Sequence, residues 1–373
     1  MPIPVLRRLL CVGVLLLPAA ASWGETWPER DWASRPVAPS AALSEFETYA
    51  FPARDDGTRQ GIRSDAVVVI RDGELIYERY AGPTKVSTPH LTWSMSKSLL
   101  ATALGVAYGE GRFKLDEPVA QYYPAFQGHP SVKLGHLLNW ASGLAWQEDY
   151  EYAPLRSSVV AMLYTRGRGD MARFVAEHPL DAVPGTRFRY SSGDSNVLAA
   201  ALKQMVGAPA YADYPWQAVF QPLGITSAVW ERDASGTFVG SSYAYMTARD
   251  LARVGLLMQR GGRWGQQQLL PTAWVEFNLT PFANYQADPA KPGEAVPGGH
   301  WWLNRHLAKA NKPWADAPES TFAALGHWGQ GLYVLPEQKL VVVRYADDRD
   351  KTYQHNEFLK RALAAFAAPE VQP

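Results

Sequence analysis

Strand-like segments stand near both ends of this chain, with a long helical stretch between them. That order constrains the fold more than any other feature. Asp65 to Tyr80 reads as a hairpin. Ala66-Val67-Val68-Val69-Ile70 and Leu75-Ile76-Tyr77 are its strands, and Asp72-Gly73 is a two-residue hairpin turn. Far downstream, Gly331 to Pro336 and Lys339 to Tyr345 read as two more strands about a Pro336-Glu337 turn. Between them, Thr92 to Tyr108 reads as a helix, with Leu100, Ala103, Leu104 and Ala107 on one apolar face and Gly109 and Gly111 at its end. From Asp116 to about Trp230 the texture is helical and rich in loops, with Val132–Trp140, Met171–Ala176 and Asn196–Val206 the best helical stretches. Thr247–Gln259 and Glu357–Ala367 are further amphipathic helices. Terminal segments that build one sheet around an inserted helical domain explain this order.

The length points the same way. At 373 residues the chain exceeds the roughly 250–300 at which single cores stop growing. The expected division is an irregular arm at 22–45, a discontinuous sheet domain at 46–115 and 231–373, and a helical domain at 116–230.

The first 21 residues read as a signal peptide. Arg7 and Arg8 precede an apolar run, Leu9 to Leu17, and Pro18-Ala19-Ala20-Ala21 supplies an Ala-x-Ala cleavage site. Cleavage after Gly24 is an alternative, and a retained N-terminal anchor is another reading. The apolar run is shorter than the roughly 20 residues that span a bilayer. Cys11 has leucines rather than small residues before it, so it reads as filler and not as a lipid acceptor. The expectation is export to a bacterial periplasm, with no stable membrane insertion after signal removal.

Composition removes several function classes. Lys plus Arg total 36, as do Asp plus Glu, so nothing draws the whole chain to nucleic acid or an anionic membrane. One cysteine allows no internal disulfide and no redox pair. Loss of residues 1–21 would remove it and leave no thiol nucleophile. No HExxH occurs and no histidines stand at i, i+4, so no metal and no cofactor are expected.

Ser94-Met95-Ser96-Lys97, at the start of the Thr92–Tyr108 helix, carries the strongest chemical signal. Residues i and i+3 share a helix face, so an ammonium can sit beside a hydroxyl. The helix N-terminus adds unpaired N–H groups where negative charge would develop. A serine hydroxyl needs a neighbouring base, and a lysine of lowered pKa can serve as one or hold a second base ionised. Ser-x-x-Lys alone is common, and an N-cap with a solvated lysine would look the same. Two later elements make the order specific. Tyr190-Ser191-Ser192 follows Pro184-Gly185-Thr186-Arg187-Phe188-Arg189, and Leu325-Gly326-His327-Trp328-Gly329-Gln330 precedes a strand.

With these elements the chain resembles the class C β-lactamase-related serine hydrolases. Within them it is most similar to the branch of 6-aminohexanoate-dimer (nylon-oligomer) hydrolases and carboxylesterases. His136-Leu137-Leu138-Asn139-Trp140-Ala141-Ser142-Gly143-Leu144, Gly240-Ser241-Ser242 and Thr247-Ala248-Arg249-Asp250-Leu251-Ala252-Arg253 also support it, so the likeness covers roughly residues 45–365. The resemblance implies a β-lactamase/transpeptidase-like α/β fold: an antiparallel sheet flanked by helices, with an inserted mainly helical domain and the site in the cleft between. It implies that Ser94 is the acylated nucleophile. Lys97 would keep Tyr190 partly ionised, and Tyr190 would be the base in acylation and the acid toward the leaving group. The backbone N–H groups of Ser94 and His327 would form the oxyanion hole, with Gln330 as the alternative if the third element slips. Trp93, Tyr150, Ser192, Gly326 and Trp328 are expected to touch substrate.

Two departures from the family narrow the chemistry. Ala324-Leu325-Gly326 stands where relatives have Lys-Thr-Gly, so the lysine that binds a substrate carboxylate is absent. Ser192 stands where class C lactamases have Asn. Both favour small-molecule ester or amide substrates over β-lactams, although Arg344 on the next strand could restore a cation. A D-alanyl-D-alanine peptidase or β-lactamase, and a non-catalytic binding protein on the same fold, are the competing readings. Elsewhere, Arg168-Gly169-Asp170 reads as a loop, Asn278-Leu279-Thr280 as a glycosylation pattern, and His136 as a packing residue.

Overall fold

A computed structural model describes residues 25–288, 293–307 and 311–367. The signal-peptide segment lies outside the described residues. Seven strands form one antiparallel sheet. They are β1 (Ser64–Arg71), β2 (Glu74–Tyr80), β3 (Val296–Pro297), β4 (Trp302–Leu303), β5 (Phe322–Gly326), β6 (Gln330–Leu335) and β7 (Leu340–Ala346). Their spatial order is β2-β1-β7-β6-β5-β4-β3. The first hairpin is thus built against the last strand, with Val68 opposite Val343 and Val69 opposite Val342.

Why the sheet takes this central position is visible in its composition. Every residue of β7 and all but the last of β1 are buried, so both faces need cover. Val67, Val69, Leu340 and Val342 face α1 (Ala41–Ala50) and the terminal helix His355–Phe366, where Phe46, Phe358 and Phe366 are buried. Full burial of such a side chain contributes about 1.5–3 kcal/mol. Ala66, Val68, Val341 and Val343 belong to the cluster on the other face, with Leu251, Val254 and Leu257 of the Ala248–Gln259 helix. That cluster continues through α2 (Met95–Gly109) into α3 (Ser192–Val206), so the helical block and the sheet share a continuous core.

Local chemistry fixes several boundaries. Asp72 (φ 51°) and Gly73 (φ 86°) both have positive φ, as a type I′ hairpin turn demands. A Cβ on Gly73 would also stand 2.0 Å from the Thr26 carbonyl oxygen. The stretch 22–45 is not irregular throughout, because α1 starts at Ala41 with the Ser40 hydroxyl accepting from the Leu43 amide. The Thr92–Tyr108 expectation starts three residues early. Trp93 has φ 47°, which makes Thr92-Trp93-Ser94 a turn rather than a helix. The Val132–Trp140 expectation shrinks to Leu134–Leu138, and Trp140 also sits at positive φ. By contrast α3 begins earlier than Asn196, because Ser191 caps it by accepting from the Asp194 amide.

Candidate active site

Ser94 ends the tight turn that opens α2. The turn is clamped on both sides. The Thr92 amide and hydroxyl each donate to the Ala244 carbonyl at 2.9 Å, and Ser96 Oγ accepts from the Ala244 amide at 3.2 Å. Ser98 Oγ donates to the His300 carbonyl one turn further on. The nucleophile candidate is therefore held by backbone and hydroxyl contacts to two distant segments.

Lys97, one helical turn along, is buried beneath Ser94. Its Nζ donates to Ser94 Oγ at 2.9 Å, Ser192 Oγ at 3.0 Å and the Ser241 carbonyl at 2.9 Å. Burial brings its pKa down to about 8, while the negative charge of Glu148 pulls the other way. A fraction of neutral amine is thus available at physiological pH.

Tyr190 precedes α3 and is packed between Trp140, with ring centroids 5.0 Å apart, and Trp302, at 5.5 Å. Lys97 Nζ lies 4.9 Å from its ring centroid. The phenol differs from expectation in its protonation. Burial first, then the charge of Glu148, push its pKa well above that of a free tyrosine, against a hydrogen bond with Ser94. Lys97 Nζ donates to Ser94, Ser192 and Ser241, and the burial of Tyr190 favours the neutral phenol over the phenolate.

Glu148 was not singled out by the sequence. Its carboxylate accepts from the Ser192 amide at 2.8 Å, the Ser192 hydroxyl at 2.5 Å and Trp146 Nε1 at 2.5 Å. It arrives on a loop from the helical block and belongs to no sequence motif. A carboxylate two residues before Tyr150 was the only available signal.

The cleft over Ser94 has a volume of about 680 Å³ and is lined by Trp93, Tyr150, Tyr190, Gly326 and His327 among others. These expected site residues therefore do come together. Gly326, at the end of β5, abuts the nucleophile turn: a Cβ there would stand 2.7 Å from the Thr92 carbonyl oxygen. His327 follows in the β5–β6 turn, its ring edge-on to Trp93 at 5.6 Å and tilted over Tyr150 at 5.5 Å. Gln330, the alternative to His327, is buried in β6 and lines no part of the cleft.

One expected substrate contact is corrected. Ser192 is fully buried, its hydroxyl engaged between Lys97 and Glu148, so it is a link in the site and not part of the cleft wall. Trp328 lines a cavity that adjoins the Ser94 cleft at Trp93. Arg344 does not replace the missing third-motif lysine either. It is fully buried on Asp348, Ser64 and the Gly329 carbonyl. The cleft lining contains Glu148, Asp149 and Glu151, and neither lysine nor arginine.

Other sequence features have structural roles. Asp170 caps the Met171–Ala176 helix, and His136 Nδ1 accepts from the Lys133 amide at the start of Leu134–Leu138. Asn278 is buried with its amide on the Trp274 carbonyl, which removes it as a glycan acceptor. Among the described residues, no group of His, Cys, Asp and Glu could hold a metal ion.

Comparison with known proteins places this geometry. The family described as beta-lactamase matches residues 48–366. A 6-aminohexanoate-dimer hydrolase of Paenarthrobacter ureafaciens is 27% identical over 356 residues, covering 90% of this chain and 86% of that protein. Esterase EstB of Burkholderia gladioli is 29% identical over 176 residues, 42% of this chain and 44% of its own. Among solved structures, EstCE1, described as a hydrolase with promiscuous acyltransferase activity, has a TM-score of 0.67 at 18% identity. That match covers 88% of this chain and 98% of that one.

Proposed function

The chain belongs to the beta-lactamase family, and from that membership we propose that it is an exported serine hydrolase cleaving carboxylic esters or small amides through an acyl-Ser94 intermediate. The single observation that carries this reading is the buried Lys97 Nζ at 2.9 Å from Ser94 Oγ. Relatives named as an esterase and as a 6-aminohexanoate-dimer hydrolase support the substrate class.

The geometry suggests how each group acts. Neutral Lys97 accepts the Ser94 proton as Oγ attacks the substrate carbonyl carbon. The developing oxyanion is received by the Ser94 and His327 backbone N–H groups. One oxyanion-hole donor is typically worth about 2.7–4 kcal/mol. Collapse breaks the bond to the leaving alcohol or amine, and Tyr190, a neutral phenol, gives it a proton. The Lys97 ammonium, which lies beside the Tyr190 ring, returns that proton to the phenolate. Water then repeats the sequence on the acyl-enzyme, and Ser94 leaves with its proton restored.

The cleft favours esters and amides over β-lactams or D-alanyl-D-alanine peptides, both of which present a carboxylate near the scissile bond. Glu148, Asp149 and Glu151 line the cleft without an arginine or lysine among the lining residues, and Lys97, buried beneath Ser94, is linked to Glu148 through Ser192. Export rests on the N-terminal basic, apolar and small-residue sequence. Among the described residues, no helix is long and apolar enough to cross a membrane.

Incubation with a fluorophosphonate, followed by peptide mass mapping, tests the proposal. The expected adduct is on Ser94, and Ser94→Ala loses both adduct and ester turnover. A folded wild-type protein that takes no adduct at Ser94 would sink it.

A further inference from the structure

A second cavity lies across Trp93 from Ser94. Trp93 lines both spaces and so forms the ridge between them. The second cavity, of about 540 Å³, is walled by Trp93, Trp328, Arg54, Arg59, Arg63 and Arg349. The two tryptophans meet edge to face at 5.3 Å, each presented by a backbone at positive φ. The Arg349 guanidinium carbon lies over the Trp328 ring, 3.8 Å from its centroid.

The charges in this cavity do not cancel. Its carboxylates are shared between arginines. Asp56 pairs with Arg54 and Arg63, Asp65 with Arg54 and His90, and Asp347 with Arg349 and more distantly Arg63. Arg349 uses only Nε on Asp347, at 2.8 Å, which leaves its outer nitrogens for another partner. Arg59 makes no ion pair among the described residues. The Ser94 cleft has the opposite sign, with Glu148, Asp149 and Glu151 in its lining. A negative group on a substrate is therefore disfavoured beside the scissile bond and favoured beyond Trp93.

We propose that the arginine-lined cavity is a second subsite, which binds the carboxylate end of an elongated ester or amide whose scissile carbonyl lies at Ser94. This inference rests on the acyl-Ser94 reading above. Arg59 and Arg349 are the specificity residues: planar guanidinium groups suit a carboxylate, and neither takes part in bond making. The Trp93 ridge carries the apolar stem of the substrate between the two spaces. The missing third-motif cation is thus replaced not at the reacting centre but one aromatic ring away from it.

Paired substrates test the subsite. Esters that differ only at the tail, carboxylate against its neutral methyl ester, are compared by kcat/KM. One series has the tail on the acyl side and another has it on the alcohol side. Wild type should favour the carboxylate by about tenfold at low salt in one series, with the preference shrinking as salt is added. The carboxylate-to-neutral ratio should fall toward one in the Arg59→Gln/Arg349→Gln double variant. No preference in either series, or a ratio unmoved by the double variant, overturns the proposal. Glutarate binding to Ser94→Ala protein, followed by tryptophan fluorescence, reads the subsite without turnover. Saturable binding that the double variant loses is the expected result, and absence of binding in the parent overturns it. If neutral esters are not hydrolysed yet glutarate binds, the acyl-Ser94 reading fails and the anion site stands.

Discussion

Glu148 holds Ser192 at two points, accepting from its amide at 2.8 Å and from its hydroxyl at 2.5 Å, while that same hydroxyl accepts from Lys97 Nζ at 3.0 Å. Carboxylate, hydroxyl and amine form a line that ends on Ser94. The line matters because Glu148 opposes the effect of burial on Lys97.

A pH profile should show this coupling. Lys97 must be neutral to accept a proton, so kcat/KM of the wild type should rise with pH through about 8. Glu148→Gln removes the charge that raises the Lys97 pKa, and the rising limb should move to lower pH. A limb well above 8 in the wild type would instead make Tyr190 ionisation the controlling step. Glu148→Gln should also lower kcat by about tenfold, because the line to Ser192 loses its charged anchor.

Tyr190→Phe should separate substrates by leaving group. A neutral phenol that protonates the leaving group matters most for alkyl esters and amides, whose alkoxide or amide anions leave poorly. Their kcat should fall by about 10²–10⁴-fold. p-Nitrophenyl esters, with a leaving group that needs no proton, should lose much less. Equal losses on both substrate types, measured side by side, would assign Tyr190 to the attack step instead.

Gly326→Ala places a methyl group 2.7 Å from the Thr92 carbonyl oxygen, at the junction of β5 with the nucleophile turn. The strand end carrying the His327 amide must shift, so kcat should drop by about tenfold or more. Urea unfolding should show a much smaller effect, since the change falls at a strand terminus. A variant with full activity would show that the His327 amide needs no such exact placement.

Asp194 lies fully buried in the first turn of α3, and burial pushes its pKa up to about 7 despite the nearby Ser142 and Ser191 hydroxyls. An unfolded aspartate titrates at about 3.9. Between these values the folded state binds the extra proton, so this group makes stability fall as pH rises from 4 to 7. Asp194→Asn should remove that slope and stabilise the protein by about 1–3 kcal/mol at pH 8. Unfolding curves at pH 4.5 and 8 check it. A variant less stable than wild type at pH 8 would mean that the carboxylate has partners that offset its burial.

What the sequence made legible was mostly local. Val67, Val69 and the Asp72-Gly73 turn lie within one hairpin, and Ser94 and Lys97 lie within one helical turn, so neighbouring residues carry the whole signal. The strands Val296–Pro297 and Trp302–Leu303 have two residues each, too few for alternation to show. Ser192 was visible as a residue but not as a buried link, because its fate depends on Glu148 arriving from a distant loop. Trp140 and Trp302, which pack on Tyr190, likewise come from separate segments. The burial of Tyr190 was hidden for the same reason, because it is set by those partners.

The pairing of β1 with β7 has a consequence for the order in which activity can arise. The strand that leads toward Ser94 is made early, while its central partner, Leu340–Ala346, follows only after the whole helical block. A nascent chain therefore carries the Ser94-Lys97 pair long before it owns a closed sheet to support it. Contacts between such distant segments also fold slowly, because the intervening loop must first be closed. The arrival of β7 thus acts as a timer for activity.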